Sequence, residues 1–294
     1  MFWQLLANGL VTGSVIAIAA VGVSIVYGIL RLVNFAYGDF MAFGALAAYA
    51  FNGPLGLPLI LATVLGMLAT AALSLLLDGV LWRPLRARRA GFMSLFLASI
   101  GLALVLRQVL LLAYGPQPQE YRIDPYKVYV LGSVRLSQSQ FITIVTAAVV
   151  IVAIGLFLAR TTLGRTMRAL ADDRALAAVA GIRVGRVIAF TWILSGMLAG
   201  IAGVLAGMTQ TTFDPNFGFQ LLLPVFAAVV LGGIGSAYGA LAGGLTLGIA
   251  MELSTWSSFF GGVNPVYKPV VAFVVLALAL LARPQGLFGR ARVV

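Results

Sequence analysis

The sequence predicts an all-α, polytopic membrane protein of about eight to nine transmembrane helices, some of them short or broken. Three observations predict it. Hydrophobic residues fill 62% of the 294 positions and charged ones 9%, with a mean hydropathy of +1.07, a composition foreign to a soluble domain of this size. Apolar runs of about twenty residues, the length that crosses ~30 Å of hydrocarbon as a helix, recur along the chain. The basic residues, finally, sit in the breaks between these runs. The net charge of +11 is therefore topogenic and does not describe a nucleic-acid face.

Leu5 to Leu30 is the first span, with no Lys or Arg before it and Arg31 after it, so the N-terminus is expected outside and this span is expected to stay as an anchor. Gly9 and Gly13 form a small-xxx-small pair suited to close helix packing. Asn34 to Phe51 is too short for a comfortable crossing: either its helix begins near Asn34, or it is a broken or tilted element. Asp39 within it either caps a helix at the interface or faces protein or water, since a carboxylate facing lipid costs about 2.5–3.5 kcal/mol. Pro58 to Trp82 runs inward to Arg83, Pro84, Arg86, Arg88 and Arg89. Phe92 to Tyr114 runs outward, with Arg107 expected to snorkel to the interface rather than to form a buried ion pair.

Residues 115–140 read as an external loop, nearly balanced in charge (Glu120, Asp124 against Arg122, Lys127, Arg135) and carrying Tyr121, Tyr126 and Tyr129. Phe141 to Ala159 returns inward to residues 160–186, where six arginines face only Asp172 and Asp173. Strong helix formers fill this segment, either aspartate can cap a turn, and Gly181 can end it. Such an ordered basic segment either receives a partner or lies on anionic headgroups. Val187 to Met208 goes out again, and Gly196, Gly200, Gly203 and Gly207 share one face of it, a strip on which another backbone can approach. Leu221 to Leu231 is again short and runs into the Gly-rich stretch 232–244. The next span ends near Thr255 beside Glu252, and Val266 to Ala282 runs inward to Arg283, Pro284 and a tail with Arg290 and Arg292. Nine crossings leave the C-terminus inside. Of the 19 Lys and Arg, fourteen fall in segments assigned inside and four outside, which supports this orientation.

Ala36-Tyr37-Gly38 recurs as Ala237-Tyr238-Gly239 and Arg83-Pro84 as Arg283-Pro284, so residues 1–90 and 221–294 read as a parallel repeat. Short, Gly-interrupted apolar pieces at matching places in two repeats point to a translocation path. Asn34, Asp39 and Ser236 are its candidate polar groups.

Absences narrow the function further. Without Cys or His there is no disulfide, thiol chemistry or imidazole relay, and no metal site is expected. No GxxxxGK[ST], HExxH or GxSxG occurs, so no catalytic residue, cofactor or ATP-hydrolysing loop is assigned to this chain.

The runs GLVTGSVIAIAAVGVSIVYGILRLVNFAYGDFMAFGALAAY (9–49), SIGLALVLRQ (99–108) with YGPQP (114–118), LADDRALAAVAGI (170–182) and VVLGGIGSAYGALAGG (229–244) resemble inner-membrane permeases of branched-chain amino-acid ABC importers, the H-type subunit. The resemblance covers nearly the whole chain and implies one permease domain, 1–294, in a bacterial inner membrane. It implies as partners a second, similar permease chain, two cytoplasmic ATPases holding ATP and Mg, and an external binding protein, besides membrane lipid. It also implies that 160–186 is the coupling segment, with Leu170, Asp172, Asp173, Ala178, Gly181 and Ile182 received by an ATPase; Leu170, Ala178 and Ile182 would supply apolar contact. Where the family commonly has His, this chain has Tyr37, so no ionisable role carries over there. Permeases for urea and short amides share these motifs, and a self-sufficient carrier or channel is the competing class.

The assigned orientation is checked directly. Single cysteines placed within 83–89, 160–186 or 283–292 are expected to resist impermeant thiol reagents in intact cells, and those within 117–127 or 260–264 to label. The reverse pattern inverts the topology; the absence of native cysteine keeps the background clean.

Overall fold

The computed structural model describes residues 2–122, 127–131, 134–256, 262–283 and 286–288. Asp124, Tyr126, Pro284, Arg290 and Arg292, all used in the sequence reading, lie outside them. The helices in order are α1 (Phe2–Leu30), α2 (Tyr37–Asn52), α3 (Leu59–Leu77), α4 (Arg83–Ala87), α5 (Phe92–Tyr114), α6 (Gln138–Arg160), α7 (Thr162–Asp172), α8 (Arg174–Val179), α9 (Val184–Gln210), α10 (Phe217–Gly232), α11 (Ala237–Leu253) and α12 (Lys268–Ala282). Five helical stretches among the described residues are long and apolar enough to cross a membrane: 2–30, 59–87, 92–114, 138–160 and 184–210. Shorter apolar helices cover 217–232, 237–253 and 265–281. The chain is thus all-α and polytopic. A shift of 201 positions carries α2 onto 238–253, which is α11 without its first residue, so the helix boundaries keep the repeat in register.

α1 is the axis of the bundle, buried along most of its length from Leu5 to Ile29. It packs on α11 through facing small residues. A Cβ on Gly13 would lie 3.0 Å from the Leu245 carbonyl oxygen, one on Gly9 2.8 Å from Ile249 Cα, and Gly244 and Gly248 of α11 abut the backbones of Ala17 and Gly13. α9 meets α2 and α3 in the same manner. Gly196 faces Ala71 and Ser74, Gly200 faces Met67 and Thr70, Gly203 abuts the Met41 backbone, and Gly207 packs under Phe213 and Tyr121. Hydrogen bonds cross the same seams: Ser74 Oγ donates to the Trp192 carbonyl at 2.6 Å and Ser195 Oγ to that of Gly22 at 3.1 Å. Lipid offers apolar side chains as good a home as the core does, so close van der Waals contact and such hydrogen bonds hold the helices together. The outward faces of α3, α5, α6 and α12 carry large exposed apolar residues such as Ile60, Leu112, Val149 and Leu281, as lipid- or partner-facing surfaces do.

The boundaries have local causes. α3 continues through a π-helical turn, Asp78–Trp82, into α4, where Pro84 cannot donate its backbone bond. α6 starts at Gln138, three residues before the sequence reading placed it, because Ser137 and Gln140 form a capping box. The external loop is not featureless: β2 (Val128–Leu131) and β3 (Val134–Ser137) pair as a hairpin, and β1 (Gln119–Glu120) pairs antiparallel with β4 (Thr212–Phe213) after α9. The Gly-rich stretch 232–244, read as one interruption, is a turn at 233–236 followed by the first half of α11.

Two helical glycines separate close packing from mere composition. Gly200→Leu must push α9 from α3, whereas Gly101 has no neighbouring atom within 4 Å of a built Cβ. Gly200→Leu is expected to lose most of the folded chain in detergent, judged by size-exclusion profile and thermal midpoint, while Gly101→Leu retains both. Equal behaviour of the two refutes the role of the glycine strip.

Candidate translocation path and coupling segment

The chain between α1 and α2 is not helical, yet beyond the exposed Arg31 its residues 32–36 are buried or half-buried. Tyr37, the first residue of α2, lies beside Gly22 of α1 and donates its hydroxyl to the Ser195 carbonyl of α9 at 3.4 Å. Gly22 is eight residues, about 12 Å, short of the end of α1. α2 therefore begins within the bundle, and residues 31–36 cover the remaining depth as irregular chain: this is the broken element of the two sequence alternatives. Irregular backbone inside a membrane protein must find local partners. Ser99 of α5 accepts the Phe35 N–H at 3.2 Å, and Asn34 Oδ1 accepts the Ala36 N–H at 3.1 Å. Asn34 thus shapes the turn that starts α2. Its Nδ2 is buried with no hydrogen-bond partner among the described residues.

Asp39, in the first turn of α2, is 1% exposed. Its Oδ1 accepts from Arg107 Nε at 3.1 Å, and the Arg107 guanidinium also lies 4.4 Å from the centroid of the Phe219 ring on α10. The expectation that Arg107 snorkels to the interface is therefore corrected. A carboxylate buried on the neighbouring helix gives the guanidinium a better partner than distant headgroups, and the aromatic face supplies a cation–π contact. The pair joins α2 to α5, with α10 as its floor. Asp39 is not a helix-capping group at the interface. Ser236, the third candidate, stands apart from this pair. It caps α11, accepting the Gly239 N–H at 3.1 Å, in a turn whose Gly235 packs on Gly28 near the end of α1.

A cleft of about 810 Å³ opens where the C-terminal ends of α2 and α9 meet the start of α6 and the strand β1. Tyr49, Glu120, Arg122, Ser139 and Thr209 line it, so both charge signs and hydroxyls face the same space. Beneath it Tyr121 donates to the Ala45 carbonyl at 2.9 Å, and burial holds its phenol well above the usual ionisation range. The sequence reading missed this cleft because its lining comes from four separate connections, none of them distinctive alone.

The basic segment folds as two short helices at an angle. Asp173 leaves helical geometry between them, and its Oδ1 accepts the N–H groups of Ala175 at 2.7 Å and Leu176 at 2.9 Å. Gly181 adopts φ +83°, which terminates α8 at little cost for glycine alone. Asp172 is the last residue of α7. Leu170, expected to offer contact area outward, is 2% exposed and belongs to the chain's own core with Met167. Ile182 is half-buried against that core as well. Ala178 is exposed, and beside it stand two apolar side chains the sequence reading passed over, Leu176 at 68% and Val179 at 88% exposure. Their i, i+3 spacing on a capped helix was the available signal.

Comparison with known proteins places this architecture. The family model described as "Branched-chain amino acid transport system / permease component" matches residues 5–280. The chain is 34% identical to the high-affinity branched-chain amino acid transport system permease protein BraD of Pseudomonas aeruginosa over 99% of this chain and 97% of that protein. It is 32% identical to the corresponding protein LivH of Escherichia coli over the same shares. The ribose import permease protein RbsC of Escherichia coli is 33% identical over 45% of this chain and 42% of its own. The solved structure of PsaBC from Streptococcus pneumoniae in complex with Fab shares the fold, with a TM-score of 0.51 at 16% identity over 97% of this chain and 94% of that one. Nearly end to end, then, the chain belongs to the family of branched-chain amino acid transport system permease components.

Proposed function

We propose that this chain is the membrane-spanning permease subunit of an ATP-driven importer in a bacterial inner membrane. It passes branched-chain or similar small amino acids from an external binding protein towards the cytoplasm, with its N-terminus outside and its C-terminus inside. Hydrolysis belongs to two separate ATPase subunits, and a second, similar permease chain completes the pore. The relatives' branched-chain amino acid transport systems support the substrate class. The observation that carries the mechanism is α8: a capped helix that turns Leu176, Ala178 and Val179 outward while Leu170 and Met167 anchor the segment to the bundle. A rigid helix with an apolar outer face, rooted in the transmembrane core, can be pushed by a partner and can move the helices behind it.

On the opposite end, the 810 Å³ cleft offers Glu120 and Arg122, one for each charge of a zwitterionic amino acid leaving its binding protein. Further in, the atoms of Asn34 and Asp39 left without partners, Nδ2 and Oδ2, are the groups that could meet such a substrate in passing without holding it.

Two measurements test this reading. Ala178→Glu and Val179→Glu put an unpaired charge into the proposed contact, a cost of several kcal/mol, whereas a lipid-resting segment would change its binding by only about 1 kcal/mol. Pull-down from membranes with matched permease levels is expected to lose at least about tenfold of the bound ATPase, together with stimulated hydrolysis. Equal recovery and equal turnover refute the coupling assignment. Separately, Asn34→Leu is expected to lower transport more than it lowers the yield of assembled complex; unchanged transport per complex would leave Asn34 as a turn-forming residue alone.

A further inference from the structure

A side chain that faces lipid is apolar, and the outward faces of three helices obey that rule throughout. The exposed positions of α3, those of α6 between Phe141 and Leu156, and those of α12 beyond Pro269 are all Ile, Leu, Val, Phe or Ala. Two other helices break it. Gln108 of α5 and Gln220 of α10 are both exposed, and neither side-chain amide is hydrogen-bonded among the described residues. Their depth makes this costly. Gln108 follows Arg107 and Gln220 follows Phe219, and the Arg107 guanidinium lies over the Phe219 ring while its Nε bonds Asp39. Asp39 comes two residues after Tyr37, which stands at the level of Gly22, about 12 Å inside the inner end of α1. Gln108 itself is six residues, about 9 Å, short of the outer end of α5. Both amides thus stand inside the ~30 Å apolar layer. Polar side chains at that depth face protein or a water-filled path, not acyl chains.

The surroundings are open in the same direction. α5 and α10 both pack on α2. Phe43 and Ala47 continue the Asp39 face of α2 towards its outer end, and both are only half-buried. On α5, Gly101 stands two turns before Gln108 on the same face; it is exposed, and a built Cβ there meets no atom within 4 Å. Another backbone can approach at that point. We propose that this face, α5 and the start of α10 on either side of α2, is the wall of the translocation path, with Gln108 and Gln220 as its polar lining, and that the second permease chain closes it. This rests on the reading above that a second permease completes the pore, and it assigns the surface on which that chain sits. Arg107 is taken up by Asp39 and Phe219, so the wall offers amides rather than free charges. Each amide carries a carbonyl oxygen for an ammonium group and an NH₂ for a carboxylate, which suits a zwitterion that must pass without being trapped.

The test uses the assembled complex in proteoliposomes. Gln108→Cys and Gln220→Cys, both at exposed positions, are compared with Val149→Cys on α6 and Leu278→Cys on α12, in a chain without native cysteine. Each thiol is first treated with a small charged methanethiosulfonate, at rest and during ATP hydrolysis. Positions 108 and 220 are expected to react at least about tenfold faster than the other two in one of these states, because only the thiolate reacts and an apolar site raises a thiol's pKa by about one unit or more. Each thiol is then tagged with a benzophenone maleimide and irradiated. Cross-links to the second permease, identified by mass spectrometry, are expected from 108 and 220 and not from 149 or 278. In a complex that retains its second permease, reaction at 108 and 220 no faster than at the controls, or failure of these two positions to cross-link, overturns the inference and leaves the importer reading standing. A complex that contains no second permease chain overturns both.

Discussion

Contact between backbones is the constraint on which this bundle depends. Within lipid, apolar side chains gain little by leaving acyl tails for one another, so burial of Leu and Val cannot by itself assemble α1, α9 and α11. What the chain does is remove side chains where helices cross. Gly9 and Gly13 against Gly248 and Ile249, and Gly200 and Gly203 against Met67 and Met41, bring whole helix surfaces into range of each other. The dispersion gained over that length is the main attraction available, and a single Cβ in the wrong place withdraws it.

Close packing of this kind permits an irregular stretch to exist deep in the protein. Residues 32–36 could not face lipid, because N–H groups among them would be unsatisfied. Enclosed between α1, α5 and α10, they obtain acceptors from Ser99 and from Asn34 itself, and Phe35 sits between Phe96 and Phe226 with ring centroids 5.1 and 5.0 Å away. The same enclosure holds the Asp39 carboxyl against the Arg107 guanidinium. The break in the second crossing, its turn-shaping asparagine and its ion pair form one solution to one problem of unsatisfied polar groups.

The class, the helices and the basic segment were legible in the sequence because each rests on local signals: run length, charge between runs, and Asp173 and Gly181 at fixed places around a short helix. The glycine strip of α9 was legible for the same reason, being a periodicity within one helix, although its partners α2 and α3 were not. What escaped was set by pairing across distance. Arg107 looked like a snorkelling residue as long as Asp39, 68 positions earlier, was considered apart from it. Leu170 and Leu176 look alike as letters, and only the packing of α7 on α6 and α1 decides that the first is core and the second surface. The polar cleft and the open face across α5, α2 and α10 gather residues from three or more elements each, which no window along the chain can bring together.

The separation of Asp39 from Arg107 also bears on how the protein is made. Chains emerge from the ribosome at about 5–20 residues per second, so the 68 residues between the two groups correspond to roughly 3–14 s. During that interval the second crossing carries a carboxylate whose counter-ion has not yet been synthesised. Facing lipid at that stage, it would cost about 2.5–3.5 kcal/mol. That cost favours keeping the nascent helix against protein until α5 supplies Arg107. One ion pair thus ties the stability of the second crossing to the arrival of the helix that carries Arg107.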